Sequence, residues 1–201
     1  MCSWVRLLHL HSIWGSPGRV KLENKSQKMH GLNAFMAYSC SVNSRHQLIQ
    51  YKVIHRLHYS RVKLHSFYPA SSPLCIRCKK SDGTLAHMFW FCERLRKFWS
   101  DVFSCYSEVY GLDLHPNPET AILGWPQQLE ILSLWKTLSI QYGMILAKKS
   151  FLKVWNKDIS PCFDNWLVEF SNTWKRKKKI RYEMSGKARR FKQIWQPLLL
   201  V

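Results

Sequence analysis

The feature that most constrains this chain is a cluster of cysteine and histidine residues between positions 75 and 92. The stretch reads CIRCKKSDGTLAHMFWFC, which is C-x-x-C, eight residues, His, four residues and Cys. Zinc takes four thiolate or imidazole ligands in a tetrahedron, and a C-x-x-C pair can place two sulfurs on one ion through a tight turn. The spacing therefore predicts a zinc site with the ligands Cys75, Cys78, His87 and Cys92.

The second half of this site sets a condition on the backbone. On an ideal helix His87 and Cys92 would lie about 140° apart, so a helix must begin or break between them. Gly83 stands between the two ligand pairs, where the chain has to reverse. Because all four ligands are protein groups, we expect a closed structural site; a catalytic zinc keeps an open position near a general base.

The cysteine count and the hydropathy indicate a compartment. The chain has 201 residues and seven cysteines, and its first residues make a poor secretory signal. An odd number of cysteines without such a signal argues against a disulfide framework. No run reaches the roughly 18 apolar residues of a membrane helix. We therefore expect an intracellular protein, nuclear or cytoplasmic, with reduced thiols and no membrane partner.

The charge indicates a class of partner. Lys and Arg number 31 against 12 Asp and Glu, a formal net charge of +19. Such an excess attracts polyanions and releases their counterions on binding. RNA or single-stranded DNA is the expected partner, and the alternative is a basic protein without a cognate partner.

One part of this charge lies in the segment 44–67, which reads SRHQLIQYKVIHRLHYSRVKLHSF and has five Lys or Arg and no acid. Ile49, Val53 and Leu57 recur at every fourth position, which predicts a buried helical stripe. Another face of this helix either contacts phosphates or is an ordinary solvated face. The basic residues on that face are Arg45, Lys52 and Arg56.

Another part lies in the tail WKRKKKIRYEMSGKARRFKQIW, residues 174–195, with ten basic residues and one acid. Its interleaved aromatic side chains can stack on unpaired bases. Two other interpretations stay open: aromatics turned into the core with merely solvated lysines, or a nuclear import signal in KRKKK. The predicted nucleic-acid contacts are Lys175, Arg176, Lys177, Lys178, Lys179, Arg181, Lys187, Arg189, Arg190 and Lys192.

Apolar periodicity predicts further helices. One follows the cysteine cluster and ends at Gly111; residues 127–155 form one helix or two joined near Gly143. Another begins at SPCFDNW, with Ser160 as its cap and Pro161 at its first helical position. The buried positions expected after the cluster are Leu95, Phe98, Trp99, Val102, Phe103 and Tyr106.

The expected fold is therefore mainly α, a helical domain with a small irregular zinc-knuckle-like module. We expect three regions along the chain. Residues 1–43 form an unrelated, weakly ordered leader. Residues 44–110 form the basic helix and the zinc-binding module, and residues 111–201 form a helical region with the basic aromatic tail.

The stretch LCIRCKKSDGTLAHMFWFCERLRKFW resembles the zinc-binding segment that follows the reverse transcriptase in LINE-type, non-LTR retrotransposon polyproteins. Both flanks agree with this family, and the resemblance covers about residues 39 to 201. The positions that match the family pattern are Cys75, Cys78, Gly83, Thr84, His87, Cys92 and Trp99.

The resemblance implies contact with RNA or DNA in support of target-primed reverse transcription, and the reverse transcriptase domain of a parent element as a second partner. The sequence contains no Asp-Asp pair, the signature of that polymerase, and no endonuclease constellation. We therefore expect no enzymatic activity. The alternative is an inert or protein-interaction remnant of a decayed mobile element, whose apolar helices once packed against a polymerase.

Overall fold

A computed structural model of the protein describes residues 41, 43–124 and 134–177. Within these residues the chain forms no β-strand beyond one antiparallel bridge between Leu74 and Asp82. The predicted mainly helical fold with a small irregular module is confirmed. The helices are α1 (Ser44–Ile54), α2 (Arg61–Phe67), α3 (Arg96–Tyr110), α4 (Leu134–Lys153) and α5 (Phe163–Lys177). Two π-helical turns, His87–Phe91 and Glu119–Leu123, and a 3-10 turn, Glu93–Leu95, complete the elements.

Helix α3 supplies much of the core. All six apolar positions predicted for this segment, from Leu95 to Tyr106, are buried. Gly111 ends the helix with a φ of 61°, a left-handed cap that glycine adopts without steric cost. The same core cluster includes Val53 of α1, Ile140 of α4 and Trp166 of α5. Helices on both sides of the cysteine cluster therefore share one hydrophobic core.

Helix α4 runs without a break past Gly143, so of the two predicted arrangements the described residues form a single helix. A Cβ atom at Gly143 would overlap the hydroxyl of Tyr106 and lie 3.2 Å from Cζ2 of Trp166. The indole Nε1 of Trp166 donates to the Gly143 carbonyl over 2.9 Å. Glycine at this position therefore lets α3 and α5 approach α4 closely.

Helix α1 buries a different face from the predicted one. Val53 is buried, but Ile49 is only half-buried, and Leu57 lies beyond the end of the helix and is exposed. Two polar residues, His46 and Gln50, are buried instead. The Gln50 amide donates to two carbonyl groups of the second π-helical turn over 3.3 Å. The prediction of an apolar stripe fails here because tertiary hydrogen bonds give the buried amide nitrogen of Gln50 its partners.

Helix α5 begins at Phe163, two residues after Pro161 and later than predicted. Ser160, the predicted cap, donates its hydroxyl to the Arg94 carbonyl over 2.9 Å. Its side chain thus ties this loop to the cysteine-bearing segment.

Among the described helices, none combines the length and the apolar character needed to cross a bilayer. The predicted leader lies almost wholly outside the described residues, and so does the tail beyond residue 177.

Candidate metal centre

The four predicted ligands converge. The ligand atoms of Cys75, Cys78, His87 and Cys92 all lie within 4.8 Å of one another. The sulfurs of Cys75 and Cys92 are 3.9 Å apart, and the Cys78 sulfur is 3.3 Å from Nε2 of His87. A tetrahedral ion with bonds of about 2.3 Å to sulfur and about 2.0 Å to nitrogen separates such atoms by about 3.5–3.8 Å. These side chains are therefore placed to hold one metal ion.

The first ligand pair is positioned by a tight turn. The N–H of Lys79 donates to the Cys75 carbonyl over 2.8 Å, and Lys79 has a left-handed φ of 57°. This conformation lets the N–H groups of Lys80 and Ser81 donate to the Cys78 sulfur. The chain reversal therefore depends on Lys79, and not on Gly83 as predicted.

The second pair is positioned by the first π-helical turn. The N–H of Cys92 donates to the His87 carbonyl over 3.0 Å, a bond that spans five residues. Such a turn takes in one residue more than an α-turn, which brings residues five apart to the same side. Cys92 itself has extended backbone angles, φ −64° and ψ 125°. The predicted interruption of the helix between the two ligands is confirmed.

Gly83 has a packing role. Its carbonyl accepts a hydrogen bond of 2.9 Å from the N–H of Arg61, the first residue of α2. A Cβ atom at this position would lie 2.6 Å from Cβ of Arg61 and 3.3 Å from Cα of Cys75. Glycine therefore allows α2 to pack directly against the ligand-bearing turn.

We expect Gly83→Ala to lower the free energy of unfolding by about 1–3 kcal/mol, because the new methyl group meets backbone and Cβ atoms that cannot rotate away. Urea denaturation of the wild type and of Gly83→Ala measures this difference. Gly111→Ala is the matched control: it meets no atom within 4 Å and costs only the left-handed backbone, about 1–2 kcal/mol. We expect Gly83→Ala to bind the metal more weakly than the wild type, and Gly111→Ala to bind it equally well. Unchanged metal affinity in Gly83→Ala would contradict the packing role.

The protonation of the ligands follows from their surroundings. Burial raises the pKa of the Cys92 thiol to about 12. Burial also acts to raise the pKa of Cys78, but the N–H groups of Lys80 and Ser81 and the neighbouring thiols bring it below its ordinary value. Burial, and then the charge of Arg77, lower the pKa of His87, which keeps the imidazole neutral and able to bind a metal.

A buried arginine lies between the first two cysteines in the sequence. Arg77, between the first two cysteines, is only 2 % exposed. Its Nη1 donates to the Met88 carbonyl over 2.8 Å, and its Cζ lies 5.9 Å from the centre of the Phe151 ring. Its Nε and Nη2 have no hydrogen-bond partner, and no carboxylate among the described residues pairs with it. Sequence reasoning missed this residue, because an arginine without a paired acid is ordinarily expected at the surface.

Three basic residues around the rim of the site form ion pairs with two carboxylates. Lys80 pairs with Glu93 over 2.7 Å. Lys79 and Arg94 both pair with Asp158, over 3.0 and 2.6 Å. These pairs are exposed, so each stabilises the protein little. They do join residues 74–83, here called the metal-binding turn, to the loop after α4.

The predicted nucleic-acid contacts are only partly described. Arg45 and Lys52 lie on α1, whereas Arg56 follows the helix with a left-handed φ of 53° and therefore does not share its face. Residues 175–177 lie in the last turn of α5, where the structure does not describe side chains. The predicted contacts outside the described residues are Lys178, Lys179, Arg181, Lys187, Arg189, Arg190 and Lys192.

Comparison with known proteins does not assign the chain to a family. No protein-family model matches the chain. No curated protein matches it either.

Proposed function

We propose that this chain is a non-catalytic, zinc-stabilised nucleic-acid-binding module, derived from the reverse transcriptase polyprotein of a LINE-type retrotransposon. The observation that carries the proposal is an acid-free segment, 44–67, whose five Lys and Arg residues form no ion pair within the described residues. This segment packs directly on the metal-binding turn.

The donor set favours zinc as the ion. Three thiolates and one imidazole suit a soft or borderline metal, whereas magnesium and calcium prefer oxygen ligands. Four-coordinate sites with three cysteines and one histidine are a common form of structural zinc site. Because the protein supplies all four ligands, no position is left open for a substrate or an activated water.

The distribution of ion pairs favours a polyanionic partner. Several basic side chains elsewhere in the described residues pair with carboxylates. The segment 44–67 has none of its own, so its cations are available to external anions. Nucleic-acid phosphates are regularly spaced anions that such a segment can bind through counterion release. Lysine and arginine residues with such pairs in the described part of the chain include Lys79, Lys80, Arg94, Lys97, Lys149 and Lys153.

We expect binding to single-stranded RNA or DNA to weaken steeply between 50 and 200 mM salt, because each released counterion adds about 0.7 to the slope of log K against log salt. Changing Arg45, Lys52 and Arg56 to glutamine should make this slope shallower by about 2 units. Fluorescence anisotropy of a labelled oligonucleotide measures both quantities. The matched control changes three ion-paired residues, Lys80, Lys97 and Lys153, to glutamine and should leave the slope nearly unchanged.

A flat salt dependence, or no binding at low salt, would overturn the proposal. Self-association of a chain that binds no nucleic acid would instead favour the protein-interaction remnant, because unpartnered apolar surface promotes association.

A further inference from the structure

Two aromatic rings stand exposed within the basic segment. Tyr59 is 55 % exposed and Phe67 is 58 % exposed. Tyr59 directly precedes Ser60, the cap of α2, whereas Lys63 and Phe67 lie four residues apart on one side of that helix. The ring centres are 6.3 Å apart and the planes are inclined by 67°. A flat ligand that stacks on one ring therefore meets the edge of the other.

A cation adjoins these rings. The Lys63 ammonium lies 5.0 Å from the centre of the Tyr59 ring. No carboxylate of the described residues pairs with it. The segment thus presents flat apolar faces next to an unneutralised positive charge, which fits a ligand that combines flat bases with phosphates.

The backbone beneath the rings is fixed at several points. The Trp155 indole donates to the Tyr59 carbonyl over 2.9 Å. The Ser60 hydroxyl accepts a bond of 3.1 Å from the N–H of Lys63 and caps α2. The N–H of Arg61 donates to Gly83 in the metal-binding turn. Because the rings sit on an ordered backbone, a ligand that binds them needs to order few additional torsions.

We propose that Tyr59 and Phe67 form a stacking platform for unpaired bases of a single-stranded nucleic acid, with Lys63 binding the adjoining phosphate. This inference rests on the proposed function and specifies its ligand. Stacking on aromatic side chains contributes about 1–3 kcal/mol per base and needs exposed base faces, which a duplex hides. A purely apolar partner would leave the cations of the segment without a counter-charge.

The stacking platform also gives the metal centre a role in nucleic-acid binding. Helix α2 is joined to the metal-binding turn through Gly83, whose neighbour Asp82 forms the antiparallel bridge with Leu74. That bridge directly precedes the ligand Cys75. Loss of the metal should therefore displace α2, and with it Lys63 and Phe67, relative to the Tyr59 ring.

The test uses the full chain with one equivalent of zinc and three labelled probes of equal length. These are an unstructured single strand, the same strand with abasic sites throughout, and the corresponding duplex. The abasic strand keeps the phosphates and removes the bases, so it separates stacking from charge. The variants are Tyr59→Ala with Phe67→Ala, and the ring-preserving exchange Tyr59→Phe with Phe67→Tyr. Val168→Ala, an exposed apolar residue on α5, is the control.

We expect the wild type to bind the single strand at least about tenfold more tightly than the abasic strand or the duplex. The double alanine variant should lose about tenfold or more for the single strand, since 1.4 kcal/mol corresponds to a factor of ten. Its affinity for the abasic strand, its salt slope and its zinc content should not change. The ring-preserving exchange and the control should bind as the wild type does.

Two outcomes would overturn the platform while leaving the proposed function intact. One is salt-dependent binding in which the double alanine variant equals the wild type. The other is equal affinity of the wild type for strand, abasic strand and duplex. If the wild type binds none of the probes at low salt, the proposed function itself fails, and the platform fails with it.

Discussion

Cys78→Ser is expected to release the metal and to weaken the whole fold. Zinc per chain should fall from about one to near zero, because serine is a poor zinc ligand at neutral pH and structural sites need four good ligands. We expect metal affinity to fall by more than 100-fold, since changes outside the ligand shell alone cost about 10–100-fold. Elemental analysis of the purified proteins measures the metal content directly.

The same change should lower the free energy of unfolding by roughly 4 kcal/mol, as is common when a structural metal is lost. Cys75 and Cys92 are fully buried and belong to the core cluster with Leu95 and Trp99. Without the ion, Cys75 and Cys92 are no longer joined through the metal. The start of α3, which follows Cys92 by four residues, then loses support. A chelator added to the wild type should reproduce this destabilisation in urea denaturation.

Cys162→Ser provides the matched control for this experiment. Cys162 is exposed and lies outside the cluster, so its variant should keep one zinc per chain and the wild-type stability. Full zinc content in Cys78→Ser, with the same stability as the control, would mean that Cys78 is not a ligand.

The parts of this structure that could be predicted from the sequence are those determined by local spacing. The ligand set follows from C-x-x-C and a nearby His and Cys, and the helical period of residues 95–106 identifies the buried face of α3. Both patterns are contained within about 30 residues. The condition that His87 and Cys92 cannot share an uninterrupted α-helix also follows from local geometry, and the π-helical turn meets it.

The parts that could not be predicted depend on contacts between distant residues. Gln50 is buried because carbonyl groups some 72 residues away accept its amide protons. The packing role of Gly83 depends on Arg61, which a linear pattern does not bring close. Arginine is almost never fully buried without a partner, so no sequence rule places Arg77 in the interior. The exposed rings of Tyr59 and Phe67 could not be paired from the sequence, because Tyr59 lies before the start of α2 and its contact with Phe67 depends on the path of the chain into the helix.

Arg77→Met is expected to weaken metal binding by about 10–100-fold while leaving the metal-free protein at least as stable as the wild type. A divalent ion bound by three thiolates and a neutral imidazole carries one net negative charge, which the buried guanidinium balances. Without the ion, the guanidinium is a buried charge with two nitrogen atoms that have no hydrogen-bond partner, and such a charge is costly. Methionine fills a similar space against Phe151 and carries no charge.

Competition with a chromophoric chelator measures the loss of affinity, and urea denaturation of the metal-free proteins measures stability. Arg77→Lys, which keeps a positive charge, should recover part of the affinity. A structural role for Arg77, through its hydrogen bond to Met88 alone, predicts instead that both variants lose stability with and without metal.

A double-mutant cycle separates charge balance from packing. Cys78→His converts the site to two thiolates and two imidazoles, a set that also binds zinc and has no net charge with a divalent ion. In that background the guanidinium has no negative charge to balance, so Arg77→Met should cost little metal affinity. The coupling between the two changes then equals most of the loss seen with Arg77→Met alone. An equal loss in both backgrounds would show that Arg77 acts on the metal through packing and not through charge.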